Sequence, residues 1–265
     1  MKSMKSPMPQ FYKAPLRKLF LAVAYARPSF AAPYYCPVCE RGLSHFRVLE
    51  WKDTRCVFCG SDTRQRLAWV FFHRMTDLFD GRQKLMLHVA PEIQFGKPLF
   101  KAIGGGYITA DLLNPRAEVR MDITDIQYPA DFFDVIVCSH VLEHVPDDRK
   151  AMREFVRVLK PKGWAAIMVP CFPDRGKTFE DLSVTDPADQ SRLFGWKGHV
   201  RIYGDDFVGR LEQSGFVVHV IHAWDFLGPE EISRFNITAH SGDVFLCTKQ
   251  DSFQKEDSLL SSHQT

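Results

Sequence analysis

Residues 132–170 read FFDVIVCSHVLEHVPDDRKAMREFVRVLKPKGWAAIMVP, and this stretch decides the fold. It opens on the apolar run Phe133 to Cys138, short and rich in β-branched residues, which predicts a buried strand. After a break at Ser139-His140, Asp147 and Asp148 precede the periodic set Ala151, Met152, Phe155, Val156 and Leu159. That pattern predicts an amphipathic helix capped by acids, where the helix dipole favours negative charge. Lys160-Pro161-Lys162-Gly163 stops the helix, and Trp164 to Val169 supplies a second apolar strand. Strand, helix and strand in so short a compass form a right-handed parallel crossover.

Working upstream, Lys84 to Val89 predicts another strand, followed by the loop Ala90-Pro91-Glu92-Ile93-Gln94-Phe95-Gly96. Gly104-Gly105-Gly106 precedes a strand instead of following one, so it is expected to cap a helix C-terminus and turn the chain. Tyr107 to Ala110 is the next strand and ends in Asp111. An acid at the tip of a second strand, roughly twenty residues past the first, suits the ribose hydroxyls of an adenosine cofactor. Downstream, residues 170–203 are rich in Pro, Asp and Gly and long enough for a functional insertion. A helix over 205–214, a Gly215 cap, and strands over 216–221 and 244–248 then complete a doubly wound α/β sheet.

Ahead of the sheet stand Cys36-Pro37-Val38-Cys39 and Cys56-Val57-Phe58-Cys59, two Cys-x-x-Cys knuckles separated by 16 residues. That spacing predicts a four-cysteine zinc site, with Cys36, Cys39, Cys56 and Cys59 as the ligands. Four protein ligands leave no open position, so the expected zinc is structural and holds a segment too small to own a core. Ser61-Asp62 is placed to cap the next helix, whose buried stripe is Leu67, Val70, Phe71, Met75 and Leu78. Arg64 and Arg66 near its start read as ordinary surface charges, or as contacts for an acidic substrate group.

A chain of 265 residues, 45% hydrophobic, holds one large α/β domain with a small appendage. The formal net charge of +2 creates no strong field for nucleic acid. No apolar run approaches the roughly 20 residues that span a bilayer. The expected divisions are a basic N-terminal segment over 1–33, a ribbon over 34–62, a catalytic domain over 63–249 and a disordered tail over 250–265. Leu16, Leu19, Phe20 and Val23 recur at helical spacing, which predicts a short helix docked on the domain or one in weak peripheral contact with anionic lipid. Clustered thiols of metal-site spacing belong to a reducing compartment, so the expected location is cytoplasmic.

FDVIVCSHVLEHV followed by REFVRVLKPKGW resembles the segment after the fourth strand of the class I S-adenosylmethionine-dependent methyltransferases. The likeness runs from about Tyr35 to Thr248 and is nearest to a bacterial branch of the methyltransferase type 11 kind, which carries a four-cysteine zinc ribbon ahead of the catalytic domain. It implies a Rossmann-like, doubly wound, seven-stranded sheet. It also implies S-adenosylmethionine as cofactor, held by residues at the strand ends. Those residues are His88, Ala90 and Glu92 of the LHVAPE loop, Asp111 and Leu112, the Asp122-Ile123 pair, and Ser139. In most such enzymes the first loop carries an acid and glycines; here His88, Ala90 and Glu92 stand in those places. FGWKGHVRIYG, with Phe194, Gly195, His199, Val200, Arg201 and Tyr203, resembles a recurring signature of the same branch.

Methyl transfer from a sulfonium is an in-line displacement, and a hydroxyl acceptor must also lose a proton. Imidazole titrates in the range that task needs, so His140 and His199 are the candidate bases. His140-Val141-Leu142-Glu143-His144 spells the H-x-x-E-H of inverted zinc proteases, but a strand exit before Pro146 is the wrong place for that helical motif. Whether His140, Glu143 and His144 hold a divalent cation is left open by the sequence. Cys171 reads as a buried inert thiol or as a nucleophile of the RNA cytosine methyltransferase kind. The resemblance implies an oxygen acceptor on a small molecule or on a glycan- or lipid-linked sugar. The rivals are an RNA methyltransferase that grips RNA through the ribbon, and a non-catalytic module whose altered first loop has lost the cofactor.

Overall fold

The computed structural model describes residues 26–27, 32–49 and 53–249. The expected helix around Leu16–Val23 and the tail over 250–265 lie outside the described residues. The sheet has seven strands: β1 (Met86–Val89), β2 (Tyr107–Asp111), β3 (Val119–Arg120), β4 (Phe133–Ser139), β5 (Leu159–Met168), β6 (Phe216–Ile221) and β7 (Val244–Lys249). Their order is β6-β7-β5-β4-β1-β2-β3. From β5 to β3 every pairing is parallel, and β7 lies antiparallel between β5 and β6. The order reverses between β1 and β4, where the crevice of a doubly wound sheet opens beyond the strand ends. The seven-stranded arrangement expected from the resemblance is thus present, as a mixed sheet.

The helices follow the caps read in the sequence. Helix α1 (Thr63–Met75) starts from a capping box, in which Asp62 accepts from the Gln65 amide and the Gln65 side chain accepts from the Asp62 amide. Helix α2 (Ile93–Ile103) ends at Gly104, whose φ of 68° needs a glycine. Helix α3 (Asp148–Val158) is capped by Asp147, which accepts from the Lys150 amide at 2.8 Å. The insertion holds α4 (Pro187–Phe194), and α5 (Phe207–Gln213) and α6 (Pro229–Arg234) follow.

Residues alternate across each strand, so each face of the sheet buries a different set. Leu87, Val89, Ile136 and Cys138 pack with Phe155 of α3 and Leu211 of α5. Met86, Val135, Val137 and Trp164 pack on the other face with Leu67, Phe71 and Phe72 of α1. That second cluster continues into the cysteine-bearing segment through Cys36, Val38, Leu43, Phe46 and Cys56. The segment is two small hairpins, Tyr34–Cys36 with Arg41–Leu43 and Arg47–Val48 with Thr54–Arg55. Its apolar side chains and those of the sheet share one buried cluster.

Arg66 corrects both expectations for the arginines of α1, because it is fully buried. Its guanidinium donates to the carbonyls of Phe235, Thr54, Ser61 and Asn236 and to the Thr54 hydroxyl, all at 2.7–3.0 Å. It joins the hairpin segment, α1 and the loop before β7. Burial lowers its pKa, and the nearby cysteines Cys36 and Cys56 act in the opposite direction. Two of the predicted stripe residues behave differently from the rest: Met75 is exposed, and Leu78 is buried beyond the end of the helix.

Candidate functional site

A cavity of about 640 Å³ opens at the carboxyl ends of β1, β2 and β4, a volume typical of small-molecule sites. Ala90 after β1, Asp111 at the end of β2 with Leu112 after it, Asp122 and Ile123 after β3, and His140 after β4 line it. Six of the ten residues expected to bind cofactor or act as base therefore come together in one place. Ala90 and His140 both adopt left-handed backbone, with φ of 47° and 55°. Such angles in residues other than glycine are uncommon and collect at functional turns. The Ala90 amide donates to Ala110 and the His140 amide to Met168, so both turns are held by the neighbouring strands.

Asp111 is half committed to its own loop. Its Oδ1 accepts the amides of Leu113 at 2.7 Å and Asn114 at 2.8 Å, and Oδ2 has no partner among the described residues. The carboxylate is thereby fixed in orientation, with Oδ2 left to accept from a ligand. Asp122 accepts the amide and hydroxyl of Thr124 through Oδ1, a turn that fixes its direction in the same way.

The structure does not place His88, Glu92, Ser139 or His199 among the cavity-lining residues. Strand alternation explains His88: it shares a face with Met86, not with Val89, and points under α2. There it lies 2.8 Å from the Tyr107 hydroxyl through Nδ1 and 2.7 Å from Glu92 through Nε2. Burial of Glu92 works against its charge, but the His88 partner holds its carboxyl below the usual range. Together His88, Glu92 and Tyr107 brace the first loop from beneath. Ser139 is buried at the end of β4.

The insertion closes over the turn that follows β4. Arg201, 1% exposed, donates to the carbonyls of Leu142, Val145 and Pro146 and pairs with Glu180 at 3.0 Å. Tyr203 donates to Asp148 at the start of α3 at 2.8 Å. Gly195 ends α4 with φ of 84°, and Phe194 is buried. Arg201 and Tyr203 of the FGWKGHVRIYG run thus fasten the insertion to the turn and helix beside the cavity.

Glu143 and His144 sit on a single 3₁₀ turn, Leu142–His144, for which the sequence left cation binding with His140 open. Glu143 is 1% exposed, and neither carboxylate oxygen has a hydrogen-bond partner among the described residues. Oε1 lies 3.2 Å from His140 Nδ1 but out of hydrogen-bonding alignment. Burial opposes the Glu143 charge, but the neighbouring His140 overcomes this and holds the carboxyl below its ordinary range. Burial also lowers the His199 pKa, which favours its neutral ring. Cys171 lies against the Gly204 carbonyl, and burial pushes its thiol up to about 11, which suits the inert role.

The four cysteines converge. All four Sγ atoms lie within 4.8 Å of one another, and Cys36–Cys59 and Cys39–Cys56 are 3.7 Å apart. None is in a disulfide. A tetrahedral zinc with bonds of about 2.3 Å sets its sulfurs about 3.8 Å apart, so the donor set fits that ion. The Ser61 hydroxyl lies 3.2 Å from the Sγ of both Cys36 and Cys59, and Gly60 turns the second knuckle with φ of 76°.

Residues 107–167 match the family described as "Methyltransferase domain". A ubiquinone/menaquinone biosynthesis C-methyltransferase from Vibrio vulnificus is 27% identical over 111 residues, 37% of this chain and 43% of that protein. A chloroplastic 2-methyl-6-phytyl-1,4-hydroquinone methyltransferase from Oryza sativa is 31% identical over 77 residues, 28% of this chain and 23% of that protein. The chain therefore spans less than half the length of these curated relatives. A solved S-adenosylmethionine-dependent methyltransferase from Mesorhizobium loti superposes with a TM-score of 0.49 at 14% identity, over 69% of this chain and 98% of that one. The matched segment holds Asp111, Asp122, Ile123, His140 and Glu143, and over those residues the chain is similar to that family.

Proposed function

We propose that this chain transfers a methyl group from S-adenosylmethionine to an oxygen of a small molecule or of a glycan- or lipid-linked sugar. The observation that carries it is the cavity at the strand-order reversal, lined by Asp111, Asp122 and Ile123 within the segment that matches the family. Oδ2 of Asp111 is the acceptor for ribose hydroxyls, and Asp122 with Ile123 meets the base. The cofactor, when bound, supplies an electrophilic methyl on a sulfonium. His140, the candidate base that lines the cavity, takes the acceptor's proton, with Glu143 Oε1 3.2 Å behind its Nδ1. His199 is set aside as base because it does not line the cavity.

A second acceptor class has one observation behind it: the Vibrio relative is named as a C-methyltransferase. Product analysis by NMR separates the two, since a methoxy group and a ring methyl differ in chemical shift. The RNA reading has no support in the charge balance of +2. Cys36, Cys39, Cys56 and Cys59 are proposed to hold a structural zinc. A tetrathiolate zinc is dianionic, which supplies the counter-charge that buried Arg66 lacks among its neutral partners. Such a centre fits a reducing, cytoplasmic setting. Among the described residues no helix is long and apolar enough to cross a membrane.

The Asp111 assignment is tested by calorimetric titration with S-adenosylhomocysteine. Asp111→Ala removes both the ribose acceptor and the bond to the Leu113 and Asn114 amides, and weakens binding more than about tenfold. Asp111→Asn keeps an oxygen for those amides, so its smaller loss isolates the ribose contact. Unchanged affinity in both variants contradicts the assignment.

A further inference from the structure

The carboxylate of Glu143 is buried beside two imidazoles and makes no hydrogen bond among the described residues. His140 Nδ1 lies 3.2 Å from its Oε1, yet a buried carboxylate whose oxygens accept no hydrogen bond is left incomplete, and a bound cation would complete it. Glu143, His144 and His199 each bring a ligand atom to within 4.8 Å of the other two. His199 Nε2 lies 3.9 Å from Glu143 Oε1, too far for a hydrogen bond. Two ligands of one tetrahedral ion with bonds of about 2.05 Å sit roughly 3.3 Å apart, so a shift of about half an ångström seats an ion between them.

The surroundings orient these side chains as a metal site requires. His199 Nδ1 lies 3.2 Å from the Phe194 carbonyl and donates to it, which leaves the Nε2 lone pair for the Glu143 side. The His144 and His199 rings meet edge to face at 84°, with centroids 4.5 Å apart. Gly198 passes over His144 with φ of 83°, and a Cβ there would stand 3.2 Å from His144 Nδ1. The Val200 amide donates to the Glu143 carbonyl at 2.9 Å, and Arg201 to the Leu142 carbonyl at 2.7 Å. Two distant parts of the chain are thus locked together around the three ligands.

We propose that Glu143, His144 and His199 bind one divalent transition-metal cation at the cavity wall, distinct from the four-cysteine site. Two imidazoles and one carboxylate suit zinc, iron(II) or manganese(II) and not calcium or magnesium, which prefer all-oxygen shells. Three protein ligands leave coordination positions open. His144 lines the cavity, so the ion would stand at its edge, and an acceptor oxygen bound to it would lose its proton more readily. His140 Nδ1 and His199 Nε2 both approach Glu143 Oε1, at 3.2 and 3.9 Å, so the ion and the His140 imidazole meet the same carboxylate. The inference rests on this side-chain cluster and not on methyl transfer.

The test uses the full chain, stripped with chelator and reloaded with cobalt(II), with metal content and absorption measured together. The expected wild-type result includes weak visible d–d bands from a nitrogen and oxygen site, besides any thiolate-to-cobalt charge transfer from the cysteines. Glu143→Gln, which preserves shape, and His199→Asn each lose one equivalent of cobalt and those weak bands while the charge-transfer band stays. Equal cobalt content and unchanged spectra in both variants overturn the proposal, as does a wild-type spectrum explained by thiolates alone. S-adenosylhomocysteine titration of the same samples reports folding and cofactor binding separately. A protein that binds cobalt here but no S-adenosylhomocysteine leaves this proposal standing and removes methyl transfer.

Discussion

Replacing Arg66 with alanine is expected to cost the protein more than about 3 kcal/mol of stability, the range found when a buried charge network is broken. The substitution strips the arginine donor from the buried carbonyls of Thr54 and Phe235, while the Ser61 carbonyl keeps the Cys56 amide and that of Asn236 keeps the Thr63 hydroxyl. Each buried acceptor left without a donor costs about 1–3 kcal/mol. It also removes a cation stacked 4.1 Å over the Phe46 ring. Lysine is a poor substitute, since one ammonium cannot reproduce a planar fork with five donors. Because the hairpin segment, α1 and the sheet share one buried cluster, the loss spreads to the sheet, and removal of the zinc proposed for the four cysteines is expected to act in the same direction. Thermal or urea unfolding of Arg66→Ala and Arg66→Lys checks this, and a loss below about 1 kcal/mol for alanine contradicts it.

His140→Asn is expected to slow turnover by about 10²- to 10⁴-fold, the usual span for removal of a general base. Asparagine is the informative replacement because position 140 has φ of 55°, which asparagine tolerates and most residues do not. Cofactor affinity is expected to stay within a few-fold, since the proposed ribose and base contacts come from Asp111 and Asp122. A rate within threefold of wild type, with the wild-type pH profile, assigns proton removal elsewhere.

What was legible in the sequence were the features set by local chemistry. Phe133–Ser139 reads as a strand because β-branched residues run without a polar break, and Asp62 and Asp147 read as caps because short acids precede periodic apolar sets. The cysteine spacing was enough to anticipate four sulfurs in one cluster. Asp111, Asp122 and Ile123 were legible because they terminate strands or follow them directly.

The remainder depended on packing between distant segments. Arg66 looks like any arginine at the start of a helix until Phe235 and Asn236, some 170 residues on, supply its acceptors. His88 drew attention by its place in the loop motif, yet strand alternation turns it into the layer beneath α2. Glu143 and His199 are 56 positions apart, and only the return of the insertion over the β4 turn brings them to 3.9 Å. A clue was present in that Arg201 and Tyr203 follow His199 closely: long polar side chains in a Pro- and Gly-rich segment need buried partners to hold it in place.

The central claim is that the cavity between β1, β2 and β4 receives an adenosyl group despite a first loop built on Ala90 and Glu92 instead of glycines. Calorimetric titration of the full chain with S-adenosylhomocysteine, paired with thermal unfolding, tests it most directly. Saturable heat at one equivalent per chain and a raised unfolding temperature are predicted, since a ligand bound only by the folded state stabilises it. No heat and no shift, from protein shown to be folded, contradict it.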